Sequence, residues 1–191
     1  MDTARLRDFY ELGKPSITGM NVLMALGGLA LARSGPDLPL IAATAIGTGL
    51  AVTSANALNM VLEREGDKLM ARTAGRPLPR GRLSLRDAVI FGVVTAVASI
   101  ALLATTNLLT AGLGLFALLS YVFVYTPLKR KTPLALLIGA VPGAIPPLMG
   151  WTAATGSLDL PGLTLFGILL VWQLPHFLAI SLFRKDDYAR A

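Results

Sequence analysis

Six separate stretches of this sequence are apolar and long enough to cross a lipid bilayer. They cover approximately residues 16–32, 39–62, 88–104, 108–126, 133–153 and 160–183. A membrane-spanning helix needs about 20 mostly apolar residues at ~1.5 Å rise per residue. Six such spans leave no room for a separate soluble domain of ordinary size in 191 residues. We therefore predict an all-α, polytopic transmembrane helical bundle that forms a single membrane domain over residues 1–191.

The composition excludes several other classes of protein. Only 15% of the residues are charged and 54% are apolar, whereas soluble domains average about 25% charged residues. With no cysteine, the chain has no disulfide, thiolate nucleophile or cysteine-bound metal, so a metal ion would need oxygen ligands. The net charge of +6 suits nucleic acid, but in so apolar a chain it is more typical of loops at an anionic membrane. We therefore expect the lipid bilayer as a partner, and no nucleic acid.

The basic residues are distributed unevenly between the loops. Of the 17 Lys and Arg residues, all but Arg33 lie in the N-terminal segment, in the second or fourth loop, or in the C-terminal tail. The positive-inside rule then places both termini and these loops in the cytoplasm, which agrees with an even number of spans. The first apolar run is too long for a typical signal peptide and no cleavage pattern follows it. We expect this first helix to stay in the membrane.

A polar stripe begins inside the second apolar span. At about 100° per residue, Asn59, Glu63 and Asp67 fall at about 0°, 40° and 80° around a helix, with Asn56 at about 60°. Glu65 falls on the far side. Carboxylate and amide oxygens that begin within a hydrophobic helix are costly unless they bind something charged. Because Mg²⁺ prefers hard oxygen ligands and shares them with substrate phosphate, the stripe predicts a magnesium site.

Two arginines follow the stripe in the second loop. Arg72 and Arg76 are four residues apart, and each guanidinium group can contact diphosphate oxygens with two hydrogen bonds. The alternative is that such basic loops only set the orientation in the membrane and contact lipid headgroups. Both interpretations remain open for each arginine. Carboxylates contribute little to orientation, which favours a functional role for the stripe.

The fifth span contains many glycines and prolines: Gly139, Pro142, Gly143, Pro146, Pro147 and Gly150. Proline removes a backbone donor, so a kinked helix that lines a polar cavity is one interpretation. The other is close helix packing through Gly139 and Gly143, whose spacing is that of a G-x-x-x-G motif. The sequence does not decide between the two.

Several stretches resemble, in order along the chain, the UbiA-type intramembrane prenyltransferases. Residues 59–67 (NMVLEREGD) and the loop that follows them are similar to the first acidic motif of that family. Four later stretches resemble the subgroup that farnesylates haem, namely 125–133 (YTPLKRKTP), 139–147 (GAVPGAIPP), 172–177 (WQLPHF) and 183–191 (FRKDDYARA). The resemblance extends from about Tyr10 to the last residue.

The resemblance implies an enzyme of the plasma (inner) membrane. In this family two acidic motifs face one cavity from the cytoplasmic side, an isoprenyl diphosphate binds through Mg²⁺, and an electron-rich acceptor captures the allylic carbocation. For the haem subgroup the implied substrates are farnesyl diphosphate and haem B, whose vinyl group receives the farnesyl group as diphosphate leaves. Implied partners act in haem A synthesis or terminal-oxidase assembly. The family continues beyond the second motif, so we expect this chain to be C-terminally incomplete, either as a fragment or as a natural short form.

The resemblance also assigns site residues by position. Asn59, Glu63 and Asp67 would form the first metal and catalytic site. Asp186 and Asp187 would bind metal in the second site, with Asp187 also catalytic. Contacts to substrate are assigned to Arg72, Arg76, Lys129, Arg130, His176 and Tyr188. His176 is a candidate for the haem side of the cavity, but a histidine inside an apolar span is equally often a hydrogen-bonded core residue.

Three other functions remain open at this stage. A prenyltransferase with another acceptor, such as a quinone precursor, would share the acidic motifs and differ in stretches such as 172–177. A small transporter would place its acids near the middle of the bilayer. A purely structural membrane subunit is the third. Because the acids lie near the cytoplasmic ends of helices and beside arginines, phosphate chemistry is favoured.

Overall fold

A computed structural model of the protein describes residues 3–32, 37–129, 131–132 and 134–183. Within these ranges the chain is helical and contains no strand. Its helices, in chain order, are α1 (Thr3–Leu12), α2 (Pro15–Ala32), α3 (Leu38–Leu69), α4 (Leu85–Ala104), α5 (Leu108–Leu119), a π-helix (Ser120–Tyr125), α6 (Thr126–Leu128), α7 (Ala135–Thr155) and α8 (Leu160–Phe183). The predicted all-α class is confirmed.

Among the described residues, six helical segments are long and apolar enough to cross a membrane, which confirms the predicted number of spans. The largest difference from the sequence prediction is in the second span, where α3 continues beyond residue 62 to Leu69. Its 32 residues correspond to about 48 Å of helix, whereas the hydrocarbon core of a bilayer is only about 30 Å thick. The end of α3 that carries the acidic residues therefore reaches beyond the apolar layer.

Side-chain caps mark where the spans begin. Asp37, Ser84 and Asn107 each accept a hydrogen bond from a backbone N–H in the first turn of α3, α4 and α5, respectively. These caps satisfy donors that the helix itself leaves unpaired. At the end of α7, Gly156 has a φ of 67°, a left-handed conformation that glycine adopts without steric cost.

The bundle is built around α7. This helix packs against α2, α5 and α8, and α3 packs against α2 and α4. In α7, 67% of the apolar membrane-spanning segment is buried, against 6% in α8. The glycine-rich and proline-rich span is therefore the central helix, and α8 exposes most of its surface.

Close contacts to neighbouring helices explain the glycines of α7. Gly150 lies against the backbone of Ala25 in α2, and Gly28 of α2 lies against the backbone of Pro147. Gly139 lies against the ring of Tyr125, and Gly143 lies against the side chain of Gln173 in α8. A side chain at any of these four glycines would collide with its neighbour. Of the two interpretations of this span, the structure supports close packing at Gly139 and Gly143.

The short helix α1 is fixed to the connection between α3 and α4, residues 70–84, which we call the 70–84 loop. Leu12 is buried together with Leu78 and Leu83 of that loop. Arg82 pairs with Asp8 at 3.1 Å and with Glu11 at 2.7 Å. Through these contacts α1 holds the loop against the end of α3.

Candidate active site

The polar stripe predicted from the sequence lies on one buried face of α3. Asn59, Glu63 and Asp67 are 1%, 5% and 4% exposed. Glu65 is exposed on the opposite side, where it pairs with Arg64 and with Lys68 at 2.9 Å each. The helical spacing therefore identified which acidic residues point inward.

Both buried carboxylates are paired with cations from other parts of the chain. Lys129 Nζ lies 2.5 Å from Glu63 Oε1, and Arg76 Nη1 lies 2.6 Å from Asp67 Oδ2. Arg76 comes from the 70–84 loop, and Lys129 follows α6. A charge that is removed from water is costly unless it is paired, so these two contacts stabilise the buried acids. The structure thus brings the predicted residues Arg76 and Lys129 to the stripe.

A third cation at the stripe is Lys14, whose Nζ donates to Asn59 Oδ1 at 3.3 Å. Burial, followed by the nearby charges of Arg76 and Lys129, lowers the pKa of Lys14 to about 8. Lys14 also has a φ of 49°, which is uncommon for a residue with a side chain and is typical of functional sites. In the sequence it counts only as one of the cytoplasmic cations. The only feature of the sequence that could have indicated a site residue here is that Lys14 directly precedes Pro15 and the first apolar span.

The other side of Asn59 contacts the segment that follows the π-helix. Asn59 Nδ2 donates to Thr126 Oγ1 at 3.0 Å, and Thr126 Oγ1 donates to the carbonyl of Tyr121 at 2.8 Å. Thr126 is not among the residues predicted for the site, although it lies in the stretch 125–133 that carries the family resemblance. We call the combined group the α3 site, consisting of Lys14, Asn59, Glu63, Asp67, Arg76, Lys129 and Thr126.

Arg72 does not lie in the α3 site. Its side chain is exposed, and it makes no ion pair with any residue that the structure describes. The neighbouring Thr73 is buried and donates to the backbone carbonyl of Asp67 at 2.8 Å, which turns the loop back over the end of α3. This turn brings Arg76, rather than Arg72, to the carboxylate.

His176 lies on the exposed surface of α8. Its ring stacks on Trp172 with centroids 4.9 Å apart, and Phe177 lies 6.0 Å away. The interpretation of His176 as a hydrogen-bonded core residue is therefore wrong. A role on the haem side stays a prediction.

Four predicted site residues, Arg130, Asp186, Asp187 and Tyr188, lie outside the described residues. Within the described ranges no group of three or more acidic or histidine residues is placed to hold a metal ion. The α3 site contributes two carboxylates and one amide oxygen. These are hard oxygen donors, and Mg²⁺ commonly takes one or two carboxylates and completes its shell with phosphate and water. The residues present therefore fit Mg²⁺ in the type and number of their donors.

Comparison with known families shows which family the chain belongs to. The model of the UbiA prenyltransferase family matches residues 21–191. The chain belongs to the UbiA prenyltransferase family. The resemblance found in the acidic motif and in the later stretches is thereby confirmed. As a member of this membrane family with six apolar helices among its described residues, the chain is a multi-pass membrane protein.

Named relatives and a solved structure agree with this membership. The chain is 51% identical over 185 residues to a protoheme IX farnesyltransferase from Anaeromyxobacter sp., covering 96% of this chain and 62% of the relative. It is 55% identical over 166 residues to one from Sorangium cellulosum, covering 86% and 59%. The chain thus spans about three fifths of the length of these relatives. A UbiA homologue from Archaeoglobus fulgidus bound to DMAPP and Mg²⁺ has the same fold, with a TM-score of 0.76 at 16% identity over 95% of this chain and 66% of the homologue.

Proposed function

We propose that the protein transfers a farnesyl group from farnesyl diphosphate to a vinyl group of haem B, which gives haem O and releases diphosphate. The names of the relatives support the choice of substrates. The observation that carries the proposal is the pairing of buried oxygen donors on α3 with three partly exposed cations from three separate segments. Buried carboxylates paired in this way contribute little to stability, and the partly exposed cations beside them are suited to binding an anion.

The charges of the α3 site match a metal-bound diphosphate. Lys14, Arg76 and Lys129 carry three positive charges, whereas Glu63 and Asp67 carry two negative charges. One bound Mg²⁺ would raise the net charge of the site from one positive charge to three. An allylic diphosphate carries about three negative charges at neutral pH, so the two charges would nearly cancel. The cations that now pair with the carboxylates would then be available to the phosphate oxygens.

The same cations stabilise the bond-breaking step. When the C–O bond of the allylic diphosphate breaks, its electron pair moves to the diphosphate oxygen. With the diphosphate bound at the α3 site, Lys14, Arg76 and Lys129 would lie where this negative charge increases, and each interaction would be stronger there than in bulk water. Asn59, Glu63 and Asp67 would hold Mg²⁺, which acts as a Lewis acid for the leaving group when bound.

The allylic farnesyl carbocation is then captured by the acceptor. The vinyl group supplies the electron pair for the new C–C bond, and the cation left on the side chain takes up water and loses a proton. Water must be kept from the farnesyl carbocation until this bond has formed. The apolar helices around the α3 site would exclude water. His176 on α8 stays a candidate for the haem side.

A product assay tests this proposal. Membranes that contain the protein are incubated with farnesyl diphosphate, haem B and Mg²⁺, and porphyrins are analysed by mass spectrometry. We expect a hydroxyethylfarnesyl porphyrin, which disappears when Mg²⁺ is chelated. Asp67→Asn should remove turnover and leave membrane insertion intact, whereas Glu65→Gln, on the far side of α3, should retain it. Prenylation of a quinone precursor but not of haem would overturn the choice of acceptor.

A further inference from the structure

Asn59 is the only uncharged oxygen donor proposed for the metal, and its amide has two chemically different ends. The oxygen Oδ1 can bind a cation, whereas the nitrogen Nδ2 carries only hydrogens. A rotation of about 180° would exchange the two and turn a ligand into a repulsive group. Something must therefore determine which end faces the cation.

The hydrogen bonds around Thr126 determine this orientation. The carbonyl of Tyr121 accepts the hydroxyl hydrogen of Thr126 at 2.8 Å, and a carbonyl has no hydrogen to donate. Thr126 Oγ1 has then used its only hydrogen and can only accept from Asn59. The group of Asn59 that faces Thr126 must be the amide nitrogen, at 3.0 Å. Oδ1 is consequently directed to the other side, where Lys14 Nζ lies 3.3 Å away.

The π-helix supplies the carbonyl on which this argument rests. The backbone N–H of Thr126 also donates to the carbonyl of Tyr121, five residues earlier. Pro127 follows directly and has no N–H, and its ring would collide with the carbonyl of Phe123 in a regular α-helical turn. The wider turn avoids this collision and leaves Thr126 anchored to Tyr121 by its backbone and its side chain.

Burial makes this orientation strict. Asn59 is 1% exposed and Thr126 is 3% exposed, so water does not replace a lost hydrogen bond at either residue. A reversed amide would place its oxygen against the oxygen of Thr126, with no hydrogen between them. Such an unpaired polar contact is costly inside a protein.

We propose that Thr126 is a positioning residue that holds the Asn59 amide with its oxygen directed to the metal ion. This inference rests on the proposed function, because it takes Asn59 as a metal ligand. The inference adds Thr126 to the residues needed for metal binding, although Thr126 itself would touch neither the metal nor the diphosphate. Supporting hydrogen bonds of this kind typically change metal affinity by about 10-fold to 100-fold when they are removed.

Metal binding by the purified full chain tests the proposal without requiring turnover. Mn²⁺ replaces Mg²⁺ as the probe, inorganic diphosphate is added, and free Mn²⁺ is measured by electron paramagnetic resonance. Thr126→Val keeps the shape of the side chain and removes the hydroxyl, so we expect Mn²⁺ affinity to fall about 10-fold. Thr126→Ser retains the hydroxyl and should restore most of the affinity.

A matched control separates this effect from general damage to the fold. Thr110 is also buried, and its hydroxyl bonds that of Thr152 at 2.9 Å near the other end of the bundle. Thr110→Val should leave Mn²⁺ affinity unchanged. An equal loss in Thr110→Val and Thr126→Val would overturn the proposal.

A double-mutant cycle tests the orientation itself. A carboxylate has two equivalent oxygens, so Asn59→Asp needs no orienting partner. In the Asn59→Asp background, Thr126→Val should change Mn²⁺ affinity less than about threefold. The same 10-fold loss in both backgrounds, or no loss from Thr126→Val alone, would overturn the role of Thr126 while leaving the metal site standing. No Mn²⁺ binding by the unmodified chain would overturn the metal site and, with it, the proposed function.

Discussion

At the scale of single residues, the site depends on pairs of side chains that are far apart in the sequence. The spacing of Asn59, Glu63 and Asp67 could be recognised from the sequence because all three lie on one helix and the helical period is known. The cations that meet them come from elsewhere in the fold. Lys14 is separated from Asn59 by 45 positions, and no local pattern predicts such a contact.

Lys14 and Arg72 provide a matched comparison of two cations. Lys14 is half-buried and donates to Asn59 in the α3 site, whereas Arg72 is exposed. Charge-assisted hydrogen bonds contribute about 1.5–3 kcal/mol, so Lys14→Met should weaken the binding of farnesyl diphosphate by about 10-fold or more. Arg72→Met should change it less than about twofold. Equilibrium binding of labelled farnesyl diphosphate with Mg²⁺ measures both, and a larger effect at Arg72 would contradict the arrangement described above.

Thr126 shows why part of the site could not be predicted. Its role depends on a π-helical turn, which displaces the following residues around the helix by one position relative to a regular α-helix. The sequence of the fourth span is mostly apolar and gives no sign of this turn except Pro127, which directly follows the span. The local geometry that places Thr126 at Asn59 is therefore visible only in the structure.

At the scale of helices, α2 and α7 pack with their backbones in close contact. The sequence left the glycines and prolines of α7 with two interpretations, because the same residues suit a kink or a close contact. The decision depends on the partner helices. Gly28 on α2 lies against the backbone at Pro147, and this contact involves two helices whose pairing the sequence does not reveal.

Adjacent glycines on α2 test this packing. A Cβ atom at Gly28 would overlap the backbone of Pro147, whereas a Cβ atom at Gly27 would meet nothing within 4 Å. Gly28→Ala should destabilise the protein by about 1–3 kcal/mol, because the backbone of α7 must move. Gly27→Ala should be neutral or slightly stabilising. Thermal unfolding in detergent compares the two, and equal midpoints would show that α2 and α7 do not approach this closely.

The contact between α1 and the 70–84 loop is a second testable pairing of elements. Arg82 pairs with both Asp8 and Glu11, whereas the exposed Arg80 makes no ion pair with the described residues. Partly exposed pairs contribute up to about 1 kcal/mol each. Arg82→Ala should therefore speed hydrogen exchange in the 70–84 loop by about twofold to fivefold. Arg80→Ala should not, and equal exchange in both variants would mean that the ion pairs do not hold the loop.

At the scale of the whole molecule, the number of spans was the most predictable feature. Each span needs only length and apolar composition, both of which the sequence contains directly. How the spans pack around α7 could not be predicted, because six apolar helices in a lipid environment have no pattern of polar and apolar faces that orders them. The orientation in the membrane stays a prediction from the distribution of Lys and Arg.

The absence of cysteine makes that orientation easy to measure. Single cysteines are introduced by Gly75→Cys in the 70–84 loop and by Ser157→Cys between α7 and α8, both exposed positions. In spheroplasts, a membrane-impermeant maleimide should label the Ser157→Cys protein directly. It should label the Gly75→Cys protein only after the membrane is permeabilised. The reverse pattern would show that the α3 site faces away from the cytoplasm.

The central claim is that the oxygen donors of α3 bind a divalent ion and, through it, a diphosphate. The most direct measurement is the binding of labelled farnesyl diphosphate to membranes with and without Mg²⁺. We compare the unmodified chain with the double variant Glu63→Gln, Asp67→Asn and with the control Glu65→Gln, which is exposed on the other side of α3. The account predicts Mg²⁺-dependent binding to the unmodified chain and to the control, and none to the double variant. Binding that is independent of Mg²⁺, or unchanged in the double variant, would contradict it.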